Sequence, residues 1–523
     1  MKKIVAVVVV LLLVLVVAPW GVGRLAEKQM NAGLDQLVKE VPYLKVVDKK
    51  WTGGWFRSEQ EVTFEVFGDM FRAMQALEKA ENKQAPAIEA DIVEPVEEAP
   101  PTGKRAKLTR AQAAAVQKEA EAADAAAAQK AAEEAAAKAA AEAAKPPEPI
   151  RFTVRNEILH GPVLWTAGFG LAKVNTRLVL ADDVRKKIAE FFGTDEPVHI
   201  TSRVGFFGGG STRFWGEGHK VKLKDGEGTL AYDDYKLDIG YSSMFDSLDY
   251  DGQWPRFMID DPSANTSMLV ENMSLTGKSK RARGDLYNGN FRFAIDKMSI
   301  TDPDKNITSI EGIHYIGDSK IQDEFVAMSL KLGSGKVVNK ALKELKLDLN
   351  EVHYDFTLRR LHAETLEKLV SSMRDMYTKP MATPEDIEVN FMKPFKEQGL
   401  VLLSHDPEFV IDRLGIVTPE GECVLKGLIK LKGLTAEDFA SQAAWLAKIE
   451  ADMTLEAAQK LLEKLPNGGA GAGMAVDQGF AKREGDKLVS HIVFKESRVT
   501  VNGKDVPIPG LGGGPTQAPP PGS

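Results

Sequence analysis

The chain has 523 residues, 43% hydrophobic and 27% charged, with a formal net charge of -8 and one cysteine. That balance excludes a wholly disordered chain, and mixed charges without a basic face argue against nucleic acid as a partner. Cys423 alone excludes an intramolecular disulfide; with eight scattered histidines and no cysteine pair, neither a structural zinc site nor any other cofactor is expected.

Lys2 and Lys3 precede fifteen apolar residues, Ile4 to Ala18, and no charge follows until Arg24. The uncharged residues 4–23, as helix, cross a hydrocarbon core of about 30 Å, and the leading lysines favour a cytoplasmic N-terminus. A cleaved signal peptide is the alternative, but Pro19 and Trp20 directly after Ala18 make a poor cleavage site. Residues 1–23 are therefore read as a single transmembrane anchor, with the rest of the chain exported.

Residues 24–84 follow as a helix, Arg24 to Glu40, and first strands in which Val62, Phe64 and Val66 alternate. Trp51, Trp55 and Phe56 precede them and are expected in the core of the first strand, with a membrane-interface position as the alternative. Residues 85–150 turn to Ala, Glu, Lys and Pro. Between 111 and 145 there are 21 alanines, and Val116 is the only larger aliphatic. Alanine favours helix, but no apolar stripe is present to pack on a core, so this is read as an inserted spacer or arm of about 50 Å.

Across 151–362 strand alternation dominates, as in Tyr235, Leu237, Ile239 and Tyr241 or in Val352, Tyr354, Phe356 and Leu358. One apolar and one polar face indicate antiparallel sheet. Turns are expected at Lys224-Asp225-Gly226 and Tyr287-Asn288-Gly289-Asn290, and a short helix at Asp182 to Phe192. Residues 363–509 read as mixed. A helical face runs from Leu366 to Met376. One long helix or two abutting ones are expected over Phe439 to Leu465, with Thr435 and Thr454 as N-caps. Strands are expected at Phe409 to Leu414, Glu422 to Leu434, Leu488 to Phe494 and Arg498 to Val501, the last pair closed by Asn502-Gly503. The tail, 510–523, is Gly and Pro rich and is expected to be disordered. The fold class is α+β: a large, mainly antiparallel sheet with packed helices, an N-terminal transmembrane helix and an Ala-rich helical insert.

Several motifs invite chemistry and fall short of it. Asp302-x-Asp304-x-Asn306 opens like a calcium loop, but Ile307 and Ile313 stand where glycine and glutamate belong. Gly205 to Gly210 and Asn467 to Gly473 are Gly-rich without a following Lys-Ser/Thr, and read as turns or loops. Ser404-His405-Asp406 puts three triad letters in a row, whereas triad members converge from separate segments. Cys423, in an alternating apolar segment, reads as a small strand residue. His160 in His160-Gly161-Pro162 reads as a structural corner, since no nucleophile or carboxylate can be set beside it from sequence.

Three segments together carry a resemblance. They are the anchor junction Ala18-Pro19-Trp20 with Trp51 to Ser58, including Trp55 and Phe56; then Ile158 to Pro162 with Gly170 and Ala172; then Asp406-Pro407, Thr418-Pro419-Glu420-Gly421 and Gly485 through Asn502-Gly503-Lys504. In order and spacing they resemble the YdgA-like family, a bacterial envelope domain of unknown function. The resemblance implies an inner-membrane anchor with the bulk of the chain in the periplasm, and supplies no catalytic residues. Trp55, Phe56, His160, Gly161, Pro162, Pro419, Gly421, Asn502 and Gly503 are its motif residues, with no role attached. The Ala-rich stretch departs from the family pattern.

No catalytic constellation is found, so the first expectation is a non-enzymatic envelope interaction or scaffold protein, capable of self-association. A second is a carrier that holds lipid or another amphiphile on the apolar face of the sheet. A third, a hydrolase, needs a convergent cluster that sequence does not reveal. The expected partners are the membrane, through one helix, and a lipid, an envelope protein or a second copy.

Overall fold

The computed structural model describes residues 2–41, 43–68, 150–164, 168–223, 228–375, 384–435 and 437–507, with the backbone alone for 2–18. The Ala-rich segment, the turn at 224–226 and the tail lie outside the described residues. Helix α1 (Lys2–Glu40) leads into the hairpin β1 (Leu44–Thr52) and β2 (Arg57–Val66), and β3 (Ile150–His160) pairs directly with β2, Val66 opposite Ile150. A small separate hairpin, β4 (Val163–Leu164) and β5 (Gly168–Phe169), precedes β6 (Ala172–Val179), α2 (Asp182–Phe192), β7 (His199–Val204), β8 (Gly210–Gly216), β9 (His219–Lys222), β10 (Thr229–Tyr232) and β11 (Tyr235–Tyr241). Four long strands follow: β12 (Ser247–Asp261), β13 (Thr266–Arg283), β14 (Leu286–Thr301) and β15 (Ile307–Gln322). Next come β16 (Phe325–Ser334), β17 (Val337–Val338), β18 (Glu351–His362), α3 (Ala363–Asp375), α4 (Lys393–Leu403), β19 (Glu408–Thr418) and β20 (Gly421–Leu431). The chain continues through β21 (Ile449–Ala458), α5 (Gln459–Lys464), α6 (Gly468–Asp477), β22 (Lys482–Glu484), β23 (Lys487–Lys495), β24 (Arg498–Val501) and β25 (Lys504–Val506).

Among the described residues, 23 of these strands form one sheet. The ladder is an antiparallel meander in chain order: β1, β2, β3, β6, β7, β8, β11, β12, β13, β14, β15, β16, β18, β19, β20, β21, β23, β24 and β25. Tight turns make this possible, because each reversal needs backbone that ordinary residues resist. Asn265, Gly284, Lys305 and Asp323 take left-handed φ values of 52°, 50°, 62° and 55° at successive reversals, and Asn502 and Gly503 do so at 51° and 81° between β24 and β25. The large antiparallel sheet with few helices is thus as expected.

Residues directly opposite one another in an antiparallel ladder project on the same face, so one row of partners can be followed across the sheet. It runs Ser58, Ile158, Val174, Ser202, Thr212, Ile239, Tyr250, Gly277, Phe291, Gly317, Leu330, Phe356, Ile411, Gly427, Met453 and Ile492. No charge occurs in it. The opposite face carries ion pairs, among them Arg57–Glu157 at 2.8 Å, Arg155–Glu61 at 2.7 Å and Arg213–Asp238 at 2.6 Å. Along this row the sheet is therefore two-sided, uncharged on one face and ionic on the other; six residues further along β12 to β15 the same alternation reaches a charged row, Arg256, Glu271, Lys297 and Glu311.

Among the described residues, helices cover the apolar face only in places. The second half of α1 lies across β2, β3, β6 and β7, with Ala26 buried against Ile158, Leu171 and Val174, and Leu34 against Val62, Phe64 and Val154. Leu366 and Val370 of α3 and Leu402 of α4 pack at one margin on Val326 and Leu361. Leu461 of α5 packs at another with Ile416 and Cys423. Between these covers Tyr315, Met328, Leu332, Tyr354 and Leu358 are each 38–45% exposed.

Several expectations are corrected. Residues 449–458 are strand β21, and Thr454 sits mid-strand opposite Lys426 and His491 rather than capping a helix. The reason is the alternation of Ile449, Ala451, Met453 and Leu455 with Glu450, Asp452 and Thr454, whose period of two outweighs the helix propensity of Ala and Glu. Residues 468–477 are helix α6 instead of a Gly-rich loop. Tyr287 to Asn290 lies inside β14; the reversal comes earlier, at Gly284 with φ of 50°. Trp55 and Phe56 are 48% and 55% exposed at the tip of the β1–β2 hairpin, outside the core, while Trp51 packs on the cluster beneath α1. The expected membrane span falls largely on residues whose side chains are outside those described. Among the described residues no helix is long and apolar enough to cross a membrane, so the transmembrane part of the fold expectation has no support there.

Candidate functional site

Two motif segments 102 residues apart in sequence meet beneath α1. His160, at the end of β3, is buried, and its Nδ1 lies 3.1 Å from the Trp55 carbonyl. A carbonyl only accepts, so Nδ1 carries the proton; in the neutral ring Nε2 then accepts from the Ser58 hydroxyl at 2.9 Å. Both ring nitrogens are thereby engaged within the fold. The backbone adds a third link, His160 N–H to the Phe56 carbonyl at 2.9 Å.

Gly23 of α1 rests on this ring: a Cβ there would stand 2.4 Å from His160 Cε1. Gly161 admits no side chain either, since a Cβ would meet the Gly170 carbonyl, and Gly161 N–H donates to the Leu171 carbonyl at 2.8 Å. The peptide from Gly161 to Pro162 is cis. Trp55, Phe56, His160, Gly161 and Pro162 thus form one assembly, a clasp holding α1 to the sheet. Ser58 and His160 have a nucleophile-and-base geometry; Ser58 is 3% exposed and His160 7%, and a cavity of 390 Å³ lined also by Arg24, Glu27, Trp51 and Trp55 adjoins them, with both polar groups already bonded within the fold. The arrangement is that of a buried buckle.

The other motif residues lie elsewhere. Pro419 and Gly421 belong to the β19–β20 turn, where Gly421 has φ of 129° and Thr418 Oγ1 donates to its carbonyl at 2.9 Å. Asn502 and Gly503 form the last turn, and Asn502 Oδ1 accepts from the His491 backbone at 3.1 Å. The triad letters disperse: His405 Nδ1 donates to the Val401 carbonyl at 2.7 Å, and Asp406 accepts from the Gly433 backbone at 2.8 Å. Asp302 is held by Asn306 in a turn, and that hydrogen bond keeps its carboxyl below the usual carboxylate range. Burial pushes the Cys423 thiol up, which leaves it a weak nucleophile in β20.

Besides the one beside His160, two cavities lined mainly by apolar residues open on this face among the described residues. The first, of 490 Å³, lies between α1 and the strands next to it, lined by Met30, Leu34 and Leu37 of the helix and by Val62, Phe64, Val154, Val174, Val204, Tyr241 and Phe245. Within it stands a short polar ladder. Thr176 Oγ1 donates to Asn156 Oδ1 at 2.7 Å, and Asn156 Nδ2 donates to Gln60 Oε1 at 2.9 Å. Gln60 is 2% exposed, and its Nε2 has no partner. Across the cavity Gln29 Nε2 donates to the Phe206 carbonyl at 2.9 Å, and Gln29 Oε1 is buried without a partner. The second cavity, of 470 Å³, lies mid-sheet over Tyr250, Phe291, Tyr315, Leu330, Phe356 and Phe409. Gln29, Gln60 and Asn156 were not legible as site residues. The available signal was that Gln60, Asn156 and Thr176 break the apolar alternation of three strands.

The model of a family described as bacterial protein of unknown function (DUF945) matches residues 1–139 and 129–509. The chain belongs to this family. Protein YdgA of Escherichia coli strain K12 is 22% identical over 273 residues, which cover 50% of this chain and 53% of YdgA. The matched region thus spans about half the length of that curated relative. No solved structure matches. The family assignment and the similarity to YdgA agree with the YdgA-like resemblance of the sequence motifs, and the family match extends across the Ala-rich segment.

Proposed function

We propose that the protein is a membrane-tethered periplasmic carrier of single-chain amphiphiles, non-enzymatic, with the apolar face of the sheet as its binding lane. The observation that carries this reading is the uncharged row from Ser58 to Ile492, left half-exposed between its helical covers and hollowed into two cavities. In water such a stretch is costly, at roughly 25 cal/mol for each Å² of apolar surface left wet, and an acyl chain laid along it recovers that free energy.

The tether is part of the same proposal. The uncharged residues 4–23 supply a bilayer-length run, α1 continues without a break to Glu40, and the clasp fixes Gly23 where that run gives way to charge. Beside it the exposed tips Trp55, Phe56 and Phe169 offer the amphipathic rings favoured at a membrane interface. The cavity under α1 would then open close to the lipid surface. The scaffold reading is less well supported at the β1 edge, where Lys45, Asp48, Lys49 and Lys50 and a register shift between Val46 and Asp48 discourage strand addition.

Native mass spectrometry of the detergent-extracted full chain tests the proposal. Adducts with the mass of single-chain lipids, displaced by competing amphiphile, are expected. A preparation without such adducts, and unable to take up added lipid, would overturn the carrier reading.

A further inference from the structure

Resting on the carrier reading, we infer that the cavity under α1 selects amphiphiles with an uncharged linkage offering both a hydrogen-bond acceptor and a donor, an acyl amide being the simplest. Buried polar atoms are almost always paired, and an orphan costs the desolvation of its group. Here two orphans face one volume: a donor on Gln60 Nε2 and an acceptor on Gln29 Oε1.

The orphan on Gln60 is not removed by turning its amide over. Thr176 and Asn156 can reverse together with it, but Gln60 then donates to Asn156 and leaves its own oxygen unpaired. In the orientation seen here the unpaired atom is the donor Nε2, because Asn156 Nδ2 donates to Gln60 Oε1. Gln29 is similarly fixed, since its nitrogen is bonded to the Phe206 carbonyl. Among the described residues no Lys, Arg, His, Asp or Glu lines the cavity. A phosphate or carboxylate would enter without a counter-charge, at a desolvation cost that two neutral amides do not offset. An amide fits without that cost: its carbonyl accepts from Gln60, its N–H donates to Gln29, and the chain lies on Met30, Leu34, Val62 and Phe64.

The experiment is photo-crosslinking on the full chain in nanodiscs, using one medium-length diazirine chain ended as an N-methyl amide, a methyl ester or a free acid. Labelling of peptides from this cavity is expected to fall in that order. Gln60→Met should lower amide and ester labelling roughly threefold to tenfold, the effect of one lost hydrogen bond. Gln29→Met should lower the amide to the level of the ester and leave the ester unchanged. Ester labelling of the mid-sheet cavity should persist in both variants, which shows that they fold. Equal labelling by all three probes, or an order indifferent to Gln60→Met, would overturn this inference alone. Failure of every probe to label either cavity would overturn the carrier reading with it.

Discussion

At the scale of single residues, Gly23 and His160 decide how α1 meets the sheet. Any Cβ at position 23 collides with the imidazole, so Gly23→Val is expected to lift the helix and destabilise the fold by about 2 kcal/mol, the usual cost of overpacking. Hydrogen exchange would show lost protection in residues 24–40 and in β3; unchanged protection would mean the clasp does not hold the helix. His160 was legible as a corner residue because glycine and proline follow it. Its partner Ser58 was not, since no local pattern joins positions 102 residues apart. The misplacement of Trp55 and Phe56 has a simple cause: large rings suggest a core, whereas a hairpin tip cannot supply one.

Among the elements, β20, β21 and β23 are cross-linked on the ionic face. Lys487 Nζ reaches Glu422 at 3.0 Å and Glu456 at 3.1 Å, Lys432 reaches Glu450 at 2.6 Å, and Lys464 bonds Glu420 beside the β19–β20 turn. Hydrogen bonds from lysine hold the Glu420, Glu422 and Glu450 carboxyls below their ordinary range. A depressed native pKa contributes stability above the unfolded value, about 4.3, and that contribution is lost as pH falls through the native one. Corrected for intrinsic exchange, amide protection in β20 to β23 should therefore decline on acidification before protection in β12 to β14. A uniform decline would assign the ladder no such role. Element type was readable where alternation ran through large residues, as in β11 and β18. It failed in β21, whose alanines and glutamates favour helix, and in α6, where glycines lower helix propensity yet residues 468–477 are helical.

On the scale of the molecule, the continuity of the apolar row is what matters for transport along it. Gly317 lies under the Phe291 ring, 2.1 Å from where its Cβ would be, so Gly317→Leu must push the ring into the mid-sheet cavity. Bound amphiphile should then be lost from that cavity and retained under α1, as read by the same crosslinking. Loss from both, or from neither, would argue against one connected lane. The fold class was legible because two-faced strands repeat along most of the chain. The lane was not, because it exists only once registers are known, and a one-residue slip would send each side chain to the other face.

The meander itself has a further consequence. Since nearly every strand pairs with its chain neighbour, a hairpin can be added or deleted without rethreading the rest. The sheet is then a ruler whose length evolution can reset two strands at a time. The crossing from β2 to β3, which spans residues 67–149 and yet leaves Val66 opposite Ile150, shows that a large segment can be inserted between rungs while the ladder keeps its count.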